Sequence, residues 1–331
     1  MRLVLNDWGC FLGRAGNCFV VKRKEGEEEY SAEQVEQILI LASSSVSSDA
    51  VLLAAEKAID IVYLDWRGHP AARVYPGKLG GTTLTRRRQV EAYGEPVSGE
   101  IVRQLIYGKV ANQAYFLKSL AKTRNCKEIK ETGDSLLAVA KGIGGIKGEA
   151  DSLRQQLLGI EGSSATKYFE ALTRILPFAG RDQKGGDPVN ACLNYGYGIL
   201  YSEVEKDLVL AGLDPYFGYL HTDRYGKKSM VYDFIEPFRP IFVDRAIVTL
   251  FVQKQIDECD LEAKDAELGP VQRLKTGGRK KVAQAVLGRF HAKIKLDEEM
   301  ELADVMLKQA RQLAGTILDP SKRFEAFVYK W

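Results

Sequence analysis

The chain reads as an α+β protein in which a small N-terminal β-rich domain is joined by a linker to a larger, nearly all-α domain. Three observations predict this. Through roughly the first 75 residues, short apolar runs alternate with turn residues. Pro76-Gly77 and Gly80-Gly81 then crowd helix and strand breakers together. Beyond them such punctuation is sparse, and apolar residues recur at helical spacing, as in Val102, Leu105, Ile106, Val110 and Ala114. The expected boundaries are a β-rich domain over 1–80, a linker and first helix start over 81–95, and a helical domain over 96–331. A chain of 331 residues is long enough for two cores.

In the first domain, Leu3-Val4-Leu5, Cys10-Phe11-Leu12 and Cys18-Phe19-Val20-Val21 are separated by Asn6-Asp7-Trp8-Gly9 and Gly13-Arg14-Ala15-Gly16-Asn17. This spacing predicts antiparallel strands and tight turns, with Lys22 to Glu29 as a charged connector. Ser31-Ala32-Glu33-Gln34 fits a capping box before a short helical turn. Ile38-Leu39-Ile40-Leu41 reads as a buried strand. Ser47-Ser48-Asp49 offers an N-cap to a helix with Val51, Leu52, Ala55 and Ala58 as its apolar stripe. Ile59 to Leu64 reads as strand, Trp66-Arg67-Gly68-His69 as turn, and Ala71 to Tyr75 as returning strand. No catalytic cluster is expected in this domain.

In the second domain, Leu153, Leu157 and Ile160 lead at helical spacing into Glu161. Asn190, Asn194, Tyr195, Tyr197 and Tyr201 share one expected helix, with Asn190 and Asn194, and Tyr197 and Tyr201, each a turn apart. Asp233-Phe234-Ile235-Glu236 before Pro237 fits a helix N-terminal capping box. Val248, Phe251, Val252 and Ile256 form a core stripe. A further helix is expected from about residue 298 to 313, with Gly315 just past it.

Composition narrows the function. The apolar fraction is ordinary, no apolar run is long enough to span a bilayer, and Met1 to Asp7 lack a signal-peptide pattern, so no membrane association and a cytoplasmic location are expected. Cys10, Cys18, Cys126, Cys192 and Cys259 form no CxxC pair and read as reduced packing residues rather than a zinc site. No nucleophile elbow or cysteine–histidine signature is present, which argues against a serine or cysteine enzyme. The net charge of +3 is small, but its distribution is uneven. Between Glu267 and Asp297 there is no acidic residue, whereas Arg273, Lys275, Arg279, Lys280, Lys281, Arg289, Lys293 and Lys295 all fall there. Such a block can neutralise phosphates or be a solvated face, and Gly277-Gly278 within it suggests a mobile loop. Arg86-Arg87-Arg88 has the same two readings, a phosphate contact at the domain junction or a solvated helix start.

The unusual chemistry is concentrated between Asp187 and Asp244. His221, one of three histidines, precedes Asp233 and Glu236, which share a face if their segment is helical. A histidine and carboxylates converging on one point can bind a divalent metal. Asn190, Gly212-Leu213-Asp214-Pro215, Gly218-Tyr219-Leu220-His221 and Tyr232-Asp233-x-x-Glu236-Pro237-x-Arg239-Pro240, together with Gly159-Ile160-Glu161-Gly162 and Tyr168-Phe169, resemble the signature of the CRISPR adaptation integrase family, Cas-one. The resemblance covers nearly the whole chain.

It implies a β-rich dimerisation domain and a helical metal-dependent catalytic domain. It also implies that Glu161, His221 and Glu236 ligate a divalent ion, Mg²⁺ or Mn²⁺, with Asp233 close by as a further catalytic residue. Family members carry aspartate or glutamate at the last ligand position. Glu236 reaches one methylene further than aspartate, so which of Asp233 and Glu236 ligates directly stays open. Asn190, Tyr201, Tyr232 and Arg239 are expected to form the wall of the active site or to support it from behind. Arg86, Arg87, Arg88, Arg273, Lys275, Arg279, Lys280 and Lys281 are expected to hold double-stranded DNA. The implied activity is spacer insertion into a CRISPR array by attack of a 3′ hydroxyl on a phosphodiester. The implied partners are a second copy of the chain and a small bridging protein, Cas-two. A general repair or branched-DNA nuclease and a non-catalytic DNA-binding scaffold are the alternatives.

Overall fold

The computed structural model describes residues 1–75, 83–184, 186–221, 225–264, 271–296 and 298–331. The Pro76-Gly77 and Gly80-Gly81 breakers on which the linker was expected lie outside them. Eight strands and one helix make up the N-terminal part: β1 (Arg2–Leu5), β2 (Cys10–Ala15), β3 (Cys18–Arg23), β4 (Gly26–Ser31), β5 (Gln37–Ile40), β6 (Ser44–Val46), α1 (Ser48–Glu56), β7 (Asp60–Leu64) and β8 (Pro70–Val74). They form two four-stranded sheets, β1-β5-β7-β8 and β4-β3-β2-β6.

The first three apolar runs are not one antiparallel set. β2 and β3 pair antiparallel, but β1 leaves for the other sheet and pairs parallel with β5. Side-chain alternation explains this. Leu3, Leu5, Ile38, Ile40 and Ile61 point into the space between the sheets with Leu12, Phe19 and Val21. The intervening Val4, Leu39, Val62 and Leu64 point the other way, into the helical core. A sheet buried on both faces needs near-continuous apolar strands, and β1, β5 and β7 supply them. The expected charged connector is instead the β3–β4 hairpin, laced by cross-strand ion pairs such as Lys22 to Glu27 at 3.0 Å. Ser31 caps nothing with its side chain, so the expected capping box is absent although the short helical turn follows at Ala32–Gln34. Ser47 does cap α1, accepting from the Ala50 amide at 3.1 Å.

The remainder is dominated by helices: α2 (Thr83–Glu91), α3 (Pro96–Arg124), α4 (Lys127–Ile143), α5 (Ala150–Leu172), α6 (Pro188–Leu210), α7 (Ser229–Phe234), α8 (Arg245–Val252), α9 (Thr276–Phe290) and α10 (Leu302–Leu318). Two short hairpins, β9 (Leu261–Lys264) with β10 (Val271–Leu274) and β11 (Lys293–Lys295) with β12 (Glu299–Glu301), interrupt them. The last helix starts at Leu302 rather than near 298 because β12 occupies those residues, and Gly315 lies inside it. Gly277 and Gly278 are not a loop but the first turn of α9. A Cβ on Gly278 would stand 2.5 Å from the Asp260 carbonyl oxygen, so close packing explains that glycine.

The β7–β8 turn docks the two parts. Gly68 has φ +83°, and a Cβ on Gly198 of α6 would lie 2.2 Å from its carbonyl oxygen. Beside this contact, Arg2 of β1 pairs with Glu203 of α6 at 2.8 Å. Arg73 of β8 donates to the Ser202 carbonyl at 2.6 Å and to its hydroxyl at 2.7 Å. The N-terminal part is therefore held against α6, the helix that carries much of the site described next.

Candidate active site

One cavity of about 1150 Å³ opens between the two parts. Glu161, Tyr201, His221, Tyr232, Glu236, Arg239 and Arg273 line it. Six local structures bring these side chains together: the middle of α5, the middle of α6, the loop before α7, α7 itself, the turn after α7, and strand β10.

Glu236 begins a single 3₁₀ turn that runs to Phe238, with Pro237 second. A π-helical turn, Pro240–Asp244, follows before α8. Prolines at 237 and 240 each remove an amide donor, so a regular α-helix cannot run through. The break turns Glu236 and Asp244 into the cavity. Glu236 is buried, and Arg239 Nε donates to its Oε1 at 3.1 Å. Burial alone would raise this carboxyl, but the charges of Arg239 and Lys109 outweigh it and hold Glu236 down at about 2.

Asp233 does not form the expected capping box, because it lies inside α7 rather than before a helix. Its Oδ2 accepts from the Tyr219 amide at 2.6 Å and the Leu220 amide at 2.9 Å, and its Oδ1 accepts from the His221 amide at 2.9 Å. Oδ1 also lies 2.6 Å from His221 Nδ1. Gly218 permits this approach: a Cβ there would sit 2.8 Å from Asp233 Oδ2. Asp233 thus ties down the 219–221 backbone and faces Nδ1, which leaves Nε2 as the ring nitrogen open to a ligand. Desolvation would lower the His221 pKa, but the Asp233 contact reverses the sign and raises it. Asp233→Asn is expected to cost about 2 kcal/mol or more, since an amide has one acceptor oxygen for these donors. Faster hydrogen exchange at the 219–221 amides would report it, and unchanged exchange would contradict it.

The wall is aromatic and cationic. Arg239 Nη2 donates to the Tyr201 hydroxyl at 2.8 Å and stacks 4.6 Å from the Tyr197 ring centroid. Tyr232 meets Tyr201 edge-on at 5.2 Å. Burial pushes the Tyr201 hydroxyl up to about 12, so it stays a neutral donor and acceptor. Asn190 is fully buried and does not line the cavity. It organises the preceding segment, with Oδ1 accepting from the Asp182 amide at 2.8 Å and from Arg181 at 3.0 Å. Arg181 in turn lies over Tyr197 at 5.4 Å and lines the cavity. Asp244 accepts from Tyr168 at 2.8 Å and Tyr197 at 2.5 Å. Burial raises it to about 6 in spite of both hydroxyls.

The basic residues separate into groups. Arg273 stacks 3.5 Å above the Trp66 ring at the cavity. Lys275, just before α9, and Lys280 on it are exposed and Arg279 is half-buried, while Lys281 pairs with Asp260 at 2.7 Å. Arg86 and Arg87 are exposed on α2, whereas Arg88 is committed to Glu91 at 2.9 Å and Glu95 at 3.1 Å.

Several residues of the site escaped the sequence reading. Trp66, Arg67 and His69 of the β7–β8 turn line the cavity, so the N-terminal part, in which no cluster was expected, contributes to it. Lys109 and Gln113 reach it from α3, and Lys109 forms ion pairs with both Glu161 and Glu236. A signal was available. Lys109 follows Leu105 by one turn inside an apolar helical stripe, where a lysine is rarely buried without a partner.

A divalent ion is implied by the family resemblance, and the donors can be tested against it. Two carboxylates from different elements already meet around one cation, the Lys109 ammonium. Glu236 Oε2 is buried and has no aligned hydrogen bond. That is a fitting place for a hard cation. His221 lines the same cavity, yet among the described residues no three His, Cys, Asp or Glu side chains are gathered at ligand spacing.

The family model described as CRISPR associated protein Cas1 matches residues 3–287. A CRISPR-associated endonuclease Cas1 of Archaeoglobus fulgidus is 35% identical over 353 aligned residues, covering 100% of both chains. A casposase solved bound to an integration product superposes with a TM-score of 0.82 at 25% identity, covering 100% of this chain and 94% of that one. A Cas6-RT-Cas1–Cas2 complex shares the fold at TM-score 0.79 and 23% identity, covering 100% of this chain and 36% of its own. With its two-sheet N-terminal part, its helical remainder and a match over most of its length, the chain belongs to the CRISPR associated protein Cas1 family.

Proposed function

We propose that the chain is a metal-dependent DNA integrase and endonuclease that joins short DNA into a CRISPR array by 3′-hydroxyl attack on a phosphodiester. The observation that carries the reading is the meeting of Glu161 and Glu236 around one cation in a cavity that His221 also lines. Glu161, Glu236 and His221 Nε2 would hold Mg²⁺ or Mn²⁺. When bound, the ion polarises the phosphodiester and offsets charge on the attacking and leaving oxygens.

The chain's own residues supply the rest. Asp233 orients His221 from behind. Arg239, fixed by Glu236 and Tyr201, presents a guanidinium to the same cavity, where it can share a phosphate's charge. Arg181, Lys227 and Arg273 line it as well and would track the DNA backbone, with Arg86, Arg87, Lys275, Arg279 and Lys280 as outer contacts. The neighbour solved with an integration product and the neighbour solved as a Cas1–Cas2 complex support a double-stranded DNA substrate and a bridging Cas-two partner. A homodimer built on the N-terminal part, working in the cytoplasm, completes the reading.

The test is strand transfer of a short labelled duplex into a supercoiled plasmid carrying a repeat array, with Mn²⁺ or Mg²⁺, with and without the bridging partner. Joined products from the wild type that vanish with His221→Ala and with chelator are expected. Cleavage without joining would point to a general nuclease, and activity retained in His221→Ala would remove His221 from the site.

A further inference from the structure

Lys109 holds a position that ligation and phosphate binding do not by themselves require. It projects from α3 with 7% of its surface exposed, and its ammonium pairs with Glu161 of α5 and with Glu236. Glu236 is also paired with Arg239. The two carboxylates are therefore balanced by two cations belonging to the chain. A divalent ion placed between Glu161 and Glu236 would add two further positive charges where charge is already neutral. Like charges a few ångströms apart in a poorly solvated site repel strongly. The ammonium and the divalent ion thus compete for one place.

A displaced ammonium must find a partner, because a buried cation left alone is costly. Gln113 stands one turn further along the same face of α3, 2% exposed, and its Oε1 is a buried acceptor without a hydrogen bond. It lines the same cavity and offers the ammonium a neutral ligand. It offers no negative charge. The anion that the remaining lining would admit is a phosphate, since Arg181, Lys227 and Arg273 border the cavity too.

We infer that Lys109 makes metal binding and DNA binding depend on each other: without DNA its ammonium holds Glu161 and Glu236, and a DNA phosphate draws it off towards Gln113 and frees the carboxylates for the divalent ion. This rests on Glu161 and Glu236 being metal ligands. Linkage then requires reciprocity, so DNA tightens the metal by the factor with which the metal tightens DNA. The metal is loaded with the substrate rather than before it.

The experiment measures Mn²⁺ binding to the full chain by electron paramagnetic resonance of free Mn²⁺, with and without a short DNA duplex whose own Mn²⁺ uptake is subtracted. Anisotropy of the labelled duplex with and without Mn²⁺ gives the reciprocal factor. For the wild type, the duplex should tighten Mn²⁺ by about tenfold or more, within the usual range for coupled sites. Lys109→Met should bind Mn²⁺ about tenfold more tightly than the wild type without DNA, and the duplex should then add less than about threefold. Lys109→Gln, which keeps a hydrogen-bond donor and loses the charge, should behave the same way. Because both variants leave Glu161 without its cation and Glu236 with Arg239 alone, melting temperature is read in parallel, and Mn²⁺ should raise it more in the variants than in the wild type. Equal Mn²⁺ affinity in the wild type and both variants, with His221→Ala abolishing it, would overturn the role of Lys109 and leave the metal site standing. No Mn²⁺ binding by any of the proteins, with or without duplex, would overturn both.

Discussion

Replacing Glu236, a proposed metal ligand, by glutamine is expected to reduce strand transfer by on the order of 10³-fold, since such a ligand supplies several kcal/mol of charge stabilisation. The substitution keeps shape and removes one charge. It should also destabilise the fold. Glu236 is held at about 2 against an ordinary 4.5, so it favours the folded state by about 3 kcal/mol wherever it is ionised in both states. The sign follows from the depression of the folded value: the contribution is present above about 4.5 and is lost as pH falls through about 2. Urea denaturation at neutral pH should therefore show the deficit, and Arg239 and Lys109 would be left as buried cations with one carboxylate fewer. Glu161→Gln is the contrast. Its side chain is 24% exposed against 7% for Glu236, so it should lose comparable activity with a smaller loss of stability. Strand transfer above a tenth of wild type in Glu236→Gln would exclude the carboxylate from the chemistry.

Arg73→Met is expected to be the most destabilising single change at the junction of the two parts. Arg73 and Asp60 are both nearly fully buried, 3.2 Å apart, with Glu205 of α6 at 3.5 Å. Neither Asp60 oxygen has an aligned hydrogen bond, so charge, from Arg73 first and Lys206 second, is its main hold, with a lesser contribution from Gln37. Glu205 keeps Lys228 at 2.7 Å and the Tyr75 hydroxyl at 3.0 Å, but Asp60 would lose its ion pair and keep only the weaker influence of Lys206 and Gln37. Breaking a buried pair from one side costs about 3–5 kcal/mol. The loss should depend on pH. Burial already raises Asp60 above 3.8, and Arg73 is the foremost influence lowering it. In the variant the carboxyl is neutral in both states at low pH, and the penalty grows as pH rises towards the folded value. Denaturation midpoints of wild type and variant should approach each other near pH 4 and separate towards pH 8. Adding Asp60→Asn should recover part of the loss. A double variant as unstable as Arg73→Met alone would show that Arg73 acts through Ser202 and α6 instead.

The sequence by itself determined the class of fold, the places of several helices, and the candidate residues for the chemistry. Short range suffices for these. Strand alternation, helical spacing and breakers act within a few residues, and Glu161, His221 and Glu236 stand in motifs whose order is visible along the chain. Even so, local pattern misled wherever a distant partner competed. Asp233 has the spacing of a helix cap, but three amides and an imidazole from the preceding loop claim both of its oxygens. Gly277-Gly278 looks like a loop, but Asp260 packs where a side chain would go. β1 looks like the neighbour of β2, but burial on two faces sends it to β5.

What only the tertiary structure decided is which charges share a space. Lys109 and Glu161 are 52 residues apart, and Glu236 is more distant still, so no local pattern could join them. The same holds for Trp66 against Arg273, and for Arg2 and Arg73 against α6. These pairings form because burial removes water as an alternative partner. Each buried charge must then find an opposite one, wherever in the chain it lies. The fold brings those charges together at the cavity and at the junction beside it, and there the three-dimensional arrangement added what the motifs left out.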